Sequence, residues 1–163
     1  MARAFSEDSR VKIPALLHFT RLGYQYRRLK DIRAQLDFET NIDRQVLRDA
    51  MNKLNPSLLA NPLTDEEFQA IMAELADSLA GDDLGQAFFV RLHQGIVCRG
   101  ETMRLIDFDT AEENDWSVVT ELPCQVDQST ASGSFRPDIT VFVNGLPLAF
   151  CEVKIPNNLK GMQ

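Results

Sequence analysis

The strongest constraint on the fold is a pair of apolar runs joined by the dipeptide Asn144-Gly145. The runs cover residues 138–143 and 146–155, and both contain many of the β-branched and aromatic residues that favour strands. An Asn-Gly pair accepts positive φ at two successive positions, as tight hairpin turns require. The sequence therefore predicts an antiparallel hairpin here, and with it a domain that contains a sheet.

Apolar residues upstream of the hairpin recur at helical spacing as far as Gly95, and short strand-like runs follow it. The pattern predicts helices at residues 6–23, from a cap at Asn41 or Asp43 to Leu54, behind a capping box at residues 64–67, and at residues 84–93. It predicts strands at residues 24–26, 96–98, 103–108 and 116–126. Helices first and a meander-like sheet second indicate an α/β or α+β fold. We expect one domain over residues 1–163, with a helical portion at about 41–95 and a sheet at about 96–156.

The charge distribution is uneven along the chain. The formal net charge is −7, which excludes binding of nucleic acid by bulk charge. Residues 1–33 nevertheless carry eight basic and three acidic side chains. Arg27, Arg28 and Lys30 lie in this basic stretch, which is either a solvated face or a patch that contacts phosphates. A polyanion must therefore be met by a local patch or by a metal ion.

The three cysteines, Cys98, Cys124 and Cys151, have no C-x-x-C spacing and sit in or beside apolar runs. We interpret them as reduced, mostly buried thiols, which indicates a cytoplasmic protein. The sequence shows neither a signal-peptide pattern nor an apolar run of membrane-spanning length. Because the chain stops just past a predicted strand, we expect it to be a fragment of something longer.

Two charged residues, Glu152 and Lys154, interrupt an otherwise apolar strand. Being two apart, they project from one face, roughly 6.5–7 Å from each other along the strand. Arg136-Pro137-Asp138 precedes the other strand, and the hairpin folds it back toward the same end of the sheet. The pattern is P-D-x₁₃-E-x-K, which predicts that an aspartate, a glutamate and a lysine converge at one strand terminus.

This combination suits phosphodiester hydrolysis. The carboxylates of Asp138 and Glu152, with the backbone carbonyl of Val153, offer the oxygen ligands that Mg²⁺ prefers. Lys154 is suited to orienting a water molecule or stabilising developing negative charge. Two carboxylates without a metal repel each other, so we expect one pKa to rise and the metal-free hairpin to be strained. An ordinary interstrand salt bridge is the alternative explanation.

The register of the hairpin decides whether the site can form. A strict two-residue turn pairs Asp138 with Cys151, which places Asp138 on the face opposite Glu152. A shared metal then requires an odd-length loop, a bulge, or a sharp bend at Pro137-Asp138. We favour a three-residue loop with Gly145 left-handed in a bulge.

The chain resembles the N-terminal endonuclease domain of the type I restriction enzyme R subunit. The similarity is carried by residues 104–109 (RLIDFD), 113–119 (ENDWSVV), 136–148 (RPDITVFVNGLPL) and Glu152-Val153-Lys154, with weaker similarity at residues 16–26 and 54–56. The resemblance implies a PD-(D/E)xK fold, a mixed central sheet flanked by helices, with Asp138, Glu152 and Lys154 as the catalytic motif. It further implies an acid from the first helix. Glu7 is the candidate, although Val11-Lys12-Ile13 stands where more acidic sequence is common.

The resemblance also implies partners and cofactors. The family's full subunit cleaves double-stranded DNA after ATP-driven translocation, and it assembles with modification and specificity subunits. No G-x-x-x-x-G-K-[ST] motif occurs here, so ATP would bind only in other domains. Mg²⁺ is the cofactor expected for this chain. The alternatives are a non-catalytic module that docks the translocase or methyltransferase core, and a stand-alone repair-type nuclease.

Overall fold

The computed structural model describes residues 11–124 and 135–154. The helices are α1 Ile13–Arg21, α2 Leu29–Ile32, α3 Arg44–Leu54, α4 Pro56–Ala60, α5 Asp65–Ala80 and α6 Gln86–Gln94, with a 3₁₀ turn at Ala111–Glu113. The strands are β1 Gln25–Arg27, β2 Ile96–Cys98, β3 Glu101–Met103, β4 Trp116–Thr120, β5 Ile139–Val143 and β6 Leu146–Cys151. Within the described ranges, no helix has the length and apolar character needed to cross a membrane.

Within the described residues, the main sheet has four strands in the order β1-β4-β5-β6, and it is mixed. β1 runs parallel to β4, with Tyr26 opposite Val118. Two backbone hydrogen bonds show that β4 and β5 are antiparallel. The N–H of Asn144 donates to the carbonyl of Asp115 at one end of the pair, and the N–H of Glu121 donates to the carbonyl of Asp138 at the other. β2 and β3 form a separate antiparallel pair. The predicted α/β (α+β) class with a mixed sheet is confirmed.

The predicted hairpin is formed by β5 and β6, and only Asn144 and Gly145 separate the two strands. Both turn residues have positive φ, 51° and 79°. Two successive positive values give the tight turn whose twist matches that of the paired strands. The prediction of a three-residue loop with a bulge is therefore wrong, because Asn144 itself adopts the left-handed conformation.

Local signals located the longer helices well. The side chain of Asp43 accepts a hydrogen bond from the N–H of Val46 and so caps α3. Thr64 and Glu67 form a reciprocal capping box at the start of α5. α6 ends before Gly95, whose φ is 83°. These helix ends are set by residues close in sequence, two capping side chains and one glycine, which is why they could be predicted.

Short elements differ from the prediction for identifiable reasons. β3 covers Glu101–Met103 rather than residues 103–108, since Arg99 and Gly100 both have positive φ and form a tight turn just ahead of it. β4 ends at Thr120 rather than continuing to residue 126. The left-handed backbone of Glu121, with φ at 55°, interrupts the strand there. The sequence pattern did not indicate α2 or α4.

The chain divides into two compact units. They are Met1–Arg33 with Trp116–Phe142 and Pro147–Gln163, and Ala34–Asp115 with Val143–Leu146. The core of the first unit contains the buried side chains of Val118, Ile139, Val141 and Val153, with Phe19 packed against them. The second unit contains α3 to α6, whose buried residues include Leu47, Met51, Phe68 and Leu75. The prediction of one domain stays a prediction.

A buried amide supports the hairpin turn within the second unit. The Nδ2 group of Asn144 donates to the carbonyl of Leu105 and to Oδ1 of Asn114, both at 2.8 Å. Its Oδ1 accepts from the N–H of Asp115 at 2.7 Å. Asn114 is held in turn by both backbone groups of Asp107. The hydrogen-bonding groups of a fully buried side chain are thus satisfied by backbone and by a second amide.

Replacing Gly145 by alanine is expected to destabilise the protein strongly. A Cβ atom there would lie 2.5 Å from the carbonyl oxygen of Asp43 and 2.9 Å from the nitrogen of Leu47. Gly100 provides the matched control, since it also has positive φ but has no atom within 4 Å of the added carbon. We expect a loss of roughly 2–5 kcal/mol for Gly145→Ala and about 1–2 kcal/mol for Gly100→Ala in urea unfolding. Equal losses would contradict a close approach at the turn.

Candidate active site

Asp138 lies in a bend of the backbone just ahead of β5. Its side chain is 24% exposed, and its Oδ2 atom accepts a hydrogen bond from the N–H of Val153 at 3.0 Å. Of the three arrangements considered for the hairpin, the bend at Pro137-Asp138 is the one observed. Because Asp138 lies outside the strand, the alternation of β5 does not fix the direction of its side chain.

Glu152 and Lys154 follow the last residue of β6. The Nζ atom of Lys154 lies 3.6 Å from Oε2 of Glu152, and both residues are exposed. Val153, between them, is buried against the core of the first unit. The prediction that Glu152 and Lys154 lie within the strand is therefore wrong, because β6 ends at Cys151, and it is the contact between the two side chains that brings them together.

The contact between Asp138 and Val153 connects the three residues of the predicted motif. The carboxylate of Asp138 lies against the backbone of the residue that separates Glu152 from Lys154. The charge of Lys154 also contributes to the pKa of Asp138. The structure thus brings Asp138 to the segment that carries the other two, while a metal shared by Asp138, Glu152 and the Val153 carbonyl stays a prediction.

Two further side chains contact this site, and the sequence pattern predicted a role there for neither of them. The Nζ atom of Lys12 lies 2.9 Å from Oε1 of Glu121 and 3.3 Å from Oδ1 of Asp138. The N–H of Glu121 donates to the carbonyl of Asp138. Lys12 is more than a hundred residues from both acids, so no spacing pattern links it to them. Only the tertiary fold brings the three together.

The ionisation of Asp138 is set by opposing effects. Burial would raise its pKa, but the N–H of Val153 and the ammonium of Lys12 lower it, with a further contribution from Lys154. The net effect is a pKa below the ordinary value of 3.8. The expectation that a carboxyl pKa would rise is wrong for Asp138, because the N–H of Val153 and the ammonium of Lys12 outweigh the effect of burial.

The donor chemistry at Asp138 fits a hard cation. Carboxylate oxygens are the ligands that Mg²⁺ prefers, and Oδ1 of Asp138 already contacts a positive group, the Lys12 ammonium. Across residues 11–124 and 135–154, no three His, Cys, Asp or Glu side chains form a group that could hold a metal ion. A metal here would therefore need backbone or water ligands in addition to side chains.

The remaining predicted site residues lie elsewhere or outside the described ranges. Arg27 belongs to β1 and is partly buried, whereas Arg28 pairs with Asp31 at 2.6 Å. Lys30 is exposed on α2. The basic stretch is therefore distributed over a strand and a short helix, and its contact with DNA stays a prediction. Glu7 lies outside the described residues.

A mixed four-stranded sheet accompanied by helices gives the described part of this protein an α+β fold, which is consistent with a nuclease-like core. Its residues 4–162 match the family described as Type I restriction enzyme R protein N terminus. The chain belongs to that family. The expected resemblance is thereby confirmed.

Two relatives illustrate the range of the family. The chain is 30% identical, over 149 residues, to the type I restriction enzyme HindI endonuclease subunit of Haemophilus influenzae. It is 25% identical, over 169 aligned positions, to a Methanocaldococcus jannaschii protein provisionally named as the type I restriction enzyme MjaIXP endonuclease subunit. These alignments cover 83% and 96% of this chain, but only 14% and 16% of the relatives. The chain thus corresponds to a small part of each relative.

Substituting Asp138 by asparagine is expected to lower stability in a pH-dependent way. Since the folded-state pKa lies below 3.8, the ionised group stabilises the fold above that pH, and this contribution is lost as the pH falls through the folded value. We expect a loss on the order of 1 kcal/mol at pH 7 that shrinks by pH 3, measured by urea unfolding. Asp31→Asn, which removes an exposed ion pair with Arg28, is the control and should change little at either pH. A loss independent of pH would contradict the electrostatic explanation.

Proposed function

We propose that this chain is the Mg²⁺-dependent endonuclease module of a type I restriction enzyme. The single observation that carries the proposal is the placement of the Asp138 carboxylate against the backbone between Glu152 and Lys154. Membership of the R protein family and the names of two relatives as endonuclease subunits support it. The substrate proposed is the phosphodiester backbone of double-stranded DNA.

In this proposal the metal is held by Asp138, Glu152 and the carbonyl of Val153. When bound, Mg²⁺ would acidify a water molecule and shield the charge that builds up on the phosphate. Asp138 is already ionised and is oriented by the N–H of Val153, so it need not lose a proton before it binds the metal. The chain itself therefore supplies a carboxylate fixed in position.

Lys154 is assigned to the reacting water or to the phosphate. Its ammonium is about half exposed and lies 3.6 Å from Glu152. A cation held this way can orient a nucleophile and stabilise negative charge, and its electrostatic effect is greatest where bulk water is excluded. The proposed roles thus divide between two carboxylates that bind the metal and one ammonium that faces the substrate.

The wider assembly is part of the same proposal. DNA would be brought to the site by ATP-driven translocation in other domains, with the modification and specificity subunits as partners. Arg27, Arg28 and Lys30 are proposed to guide the DNA backbone toward the metal site. The thiols of Cys98, Cys124 and Cys151 are free and partly buried, which supports a reducing, cytoplasmic setting.

Separate substitutions Asp138→Asn, Glu152→Gln and Lys154→Met should each reduce DNA cleavage by about a hundredfold or more in the assembled restriction enzyme. DNA binding and ATP hydrolysis should persist, because neither is assigned to these side chains. The matched controls are Lys53→Met and Glu113→Gln. They break a lysine–glutamate pair of 2.8 Å in the other compact unit. Normal cleavage by all three site variants, with the controls unchanged, would leave the chain as a docking module.

A further inference from the structure

The ammonium of Lys12 lies between two carboxylates of the first unit, those of Asp138 and Glu121. The lysine side chain is only 12% exposed, whereas that of Glu121 is 52% exposed. A mostly buried ammonium needs a charged partner, and these two carboxylates supply the opposite charge. The two carboxylates therefore hold the Lys12 ammonium in place.

The two oxygens of Asp138 are both engaged by groups of the chain. Oδ2 accepts from the N–H of Val153, and Oδ1 contacts the ammonium of Lys12. A divalent cation on Oδ1 would repel an ammonium on the same oxygen, so the two compete for this position. The hydrogen bond from the N–H of Val153 to Oδ2 need not change, because the cation would bind Oδ1.

We propose that Lys12 is an internal competitor of the divalent cation at Asp138, and that Glu121 retains the ammonium after its displacement. This inference rests on the proposed function, because it takes Asp138 as a metal ligand. In the metal-free protein Lys12 neutralises Asp138. With metal bound, the ammonium remains beside the site on Glu121 and offsets part of the negative charge there.

The backbone at Glu121 keeps this residue close to Asp138, so the Lys12 ammonium can move between the two carboxylates. Glu121 has a left-handed φ of 55°, and its N–H donates to the carbonyl of Asp138. A backbone hydrogen bond thus connects Glu121, which would retain the ammonium, to Asp138, from which the ammonium would be displaced. Lys12 is already 2.9 Å from Glu121, so displacement from Asp138 does not leave a buried charge unpaired.

The proposal predicts effects of opposite sign for the two partners. Lys12→Met removes the competitor but keeps an apolar chain of similar length, so metal binding should tighten. Glu121→Gln removes the alternative acceptor, so Lys12 should hold Asp138 more firmly and metal binding should weaken. A merely structural role for the cluster would weaken binding in both variants.

The double variant separates this exchange from simple electrostatics. If Glu121 acts through Lys12, then Glu121→Gln should matter in the native background and matter little once Lys12 is methionine. A direct effect of the Glu121 charge on the metal would be the same in both backgrounds. The comparison is a double-mutant cycle on the metal dissociation constant.

The experiment is a titration of the chain with Mn²⁺, with free Mn²⁺ measured by electron paramagnetic resonance. We expect Lys12→Met to lower the dissociation constant about tenfold, and Glu121→Gln to raise it about threefold. In the Lys12→Met background, Glu121→Gln should change it by less than about twofold. Lys53→Met, which removes a lysine paired with Glu113 in the other unit, is the control and should leave the constant unchanged.

Circular dichroism and thermal unfolding verify that each variant is folded, and Lys12→Gln replaces Lys12→Met if the latter does not fold. Unchanged or weaker Mn²⁺ binding in a folded Lys12 variant would overturn the competitor role. Asp138→Asn in the same titration tests the underlying site. If it abolishes binding while the Lys12 variant binds no more tightly, only the competitor role fails. If it leaves binding intact, the metal site at Asp138 fails, and the competitor role fails with it.

Discussion

Two successive residues with positive φ, Asn144 and Gly145, fix the pairing of β5 with β6, and the candidate site depends on that pairing. Counting back from a two-residue turn places Asp138 opposite Cys151. The carboxylate then reaches the N–H of Val153, two residues further on. A turn with one residue more would shift every side chain of β6 to the other face and remove this contact.

The turn requires much of the second unit to support it. Asn144 is fully buried, and its amide is satisfied by Leu105, Asn114 and Asp115. Two of the segments that carry the family resemblance, residues 104–109 and 113–119, supply these partners. These partners support the turn, whereas the candidate site lies at the opposite end of the hairpin.

The electrostatics of the site follow from donors that the chain itself provides. Burial alone would disfavour an ionised Asp138, but a backbone N–H and the ammonium of Lys12 more than compensate. The Asp138 carboxylate is consequently ionised, and the Lys12 ammonium offsets its negative charge when no metal ion is bound. This differs from the expectation that repulsion between two carboxylates would raise a pKa and strain the metal-free hairpin.

What could be predicted from the sequence was local, and what could not was tertiary. The Asn-Gly turn and the caps at Asp43 and Thr64 follow from neighbouring residues. The end of β6 before Glu152 did not, because the apolar pattern continues past it. The turn geometry was still misjudged, because nothing local showed that a strict turn and a bend at Asp138 can coexist. Lys12 and Glu121 were missed since they meet Asp138 only through the packing of α1 and β4 against β5. The short helices α2 and α4 lack enough residues to display a period.

Asp138 and Glu152 are proposed to bind one divalent cation. The most direct measurement is anomalous diffraction from crystals of the chain soaked in Mn²⁺. We expect a single strong anomalous peak about 2 Å from a carboxylate oxygen of each residue, with the Lys12 ammonium moved away from Asp138. A peak elsewhere, or no peak at millimolar Mn²⁺ with Lys12 still on Asp138, would contradict it.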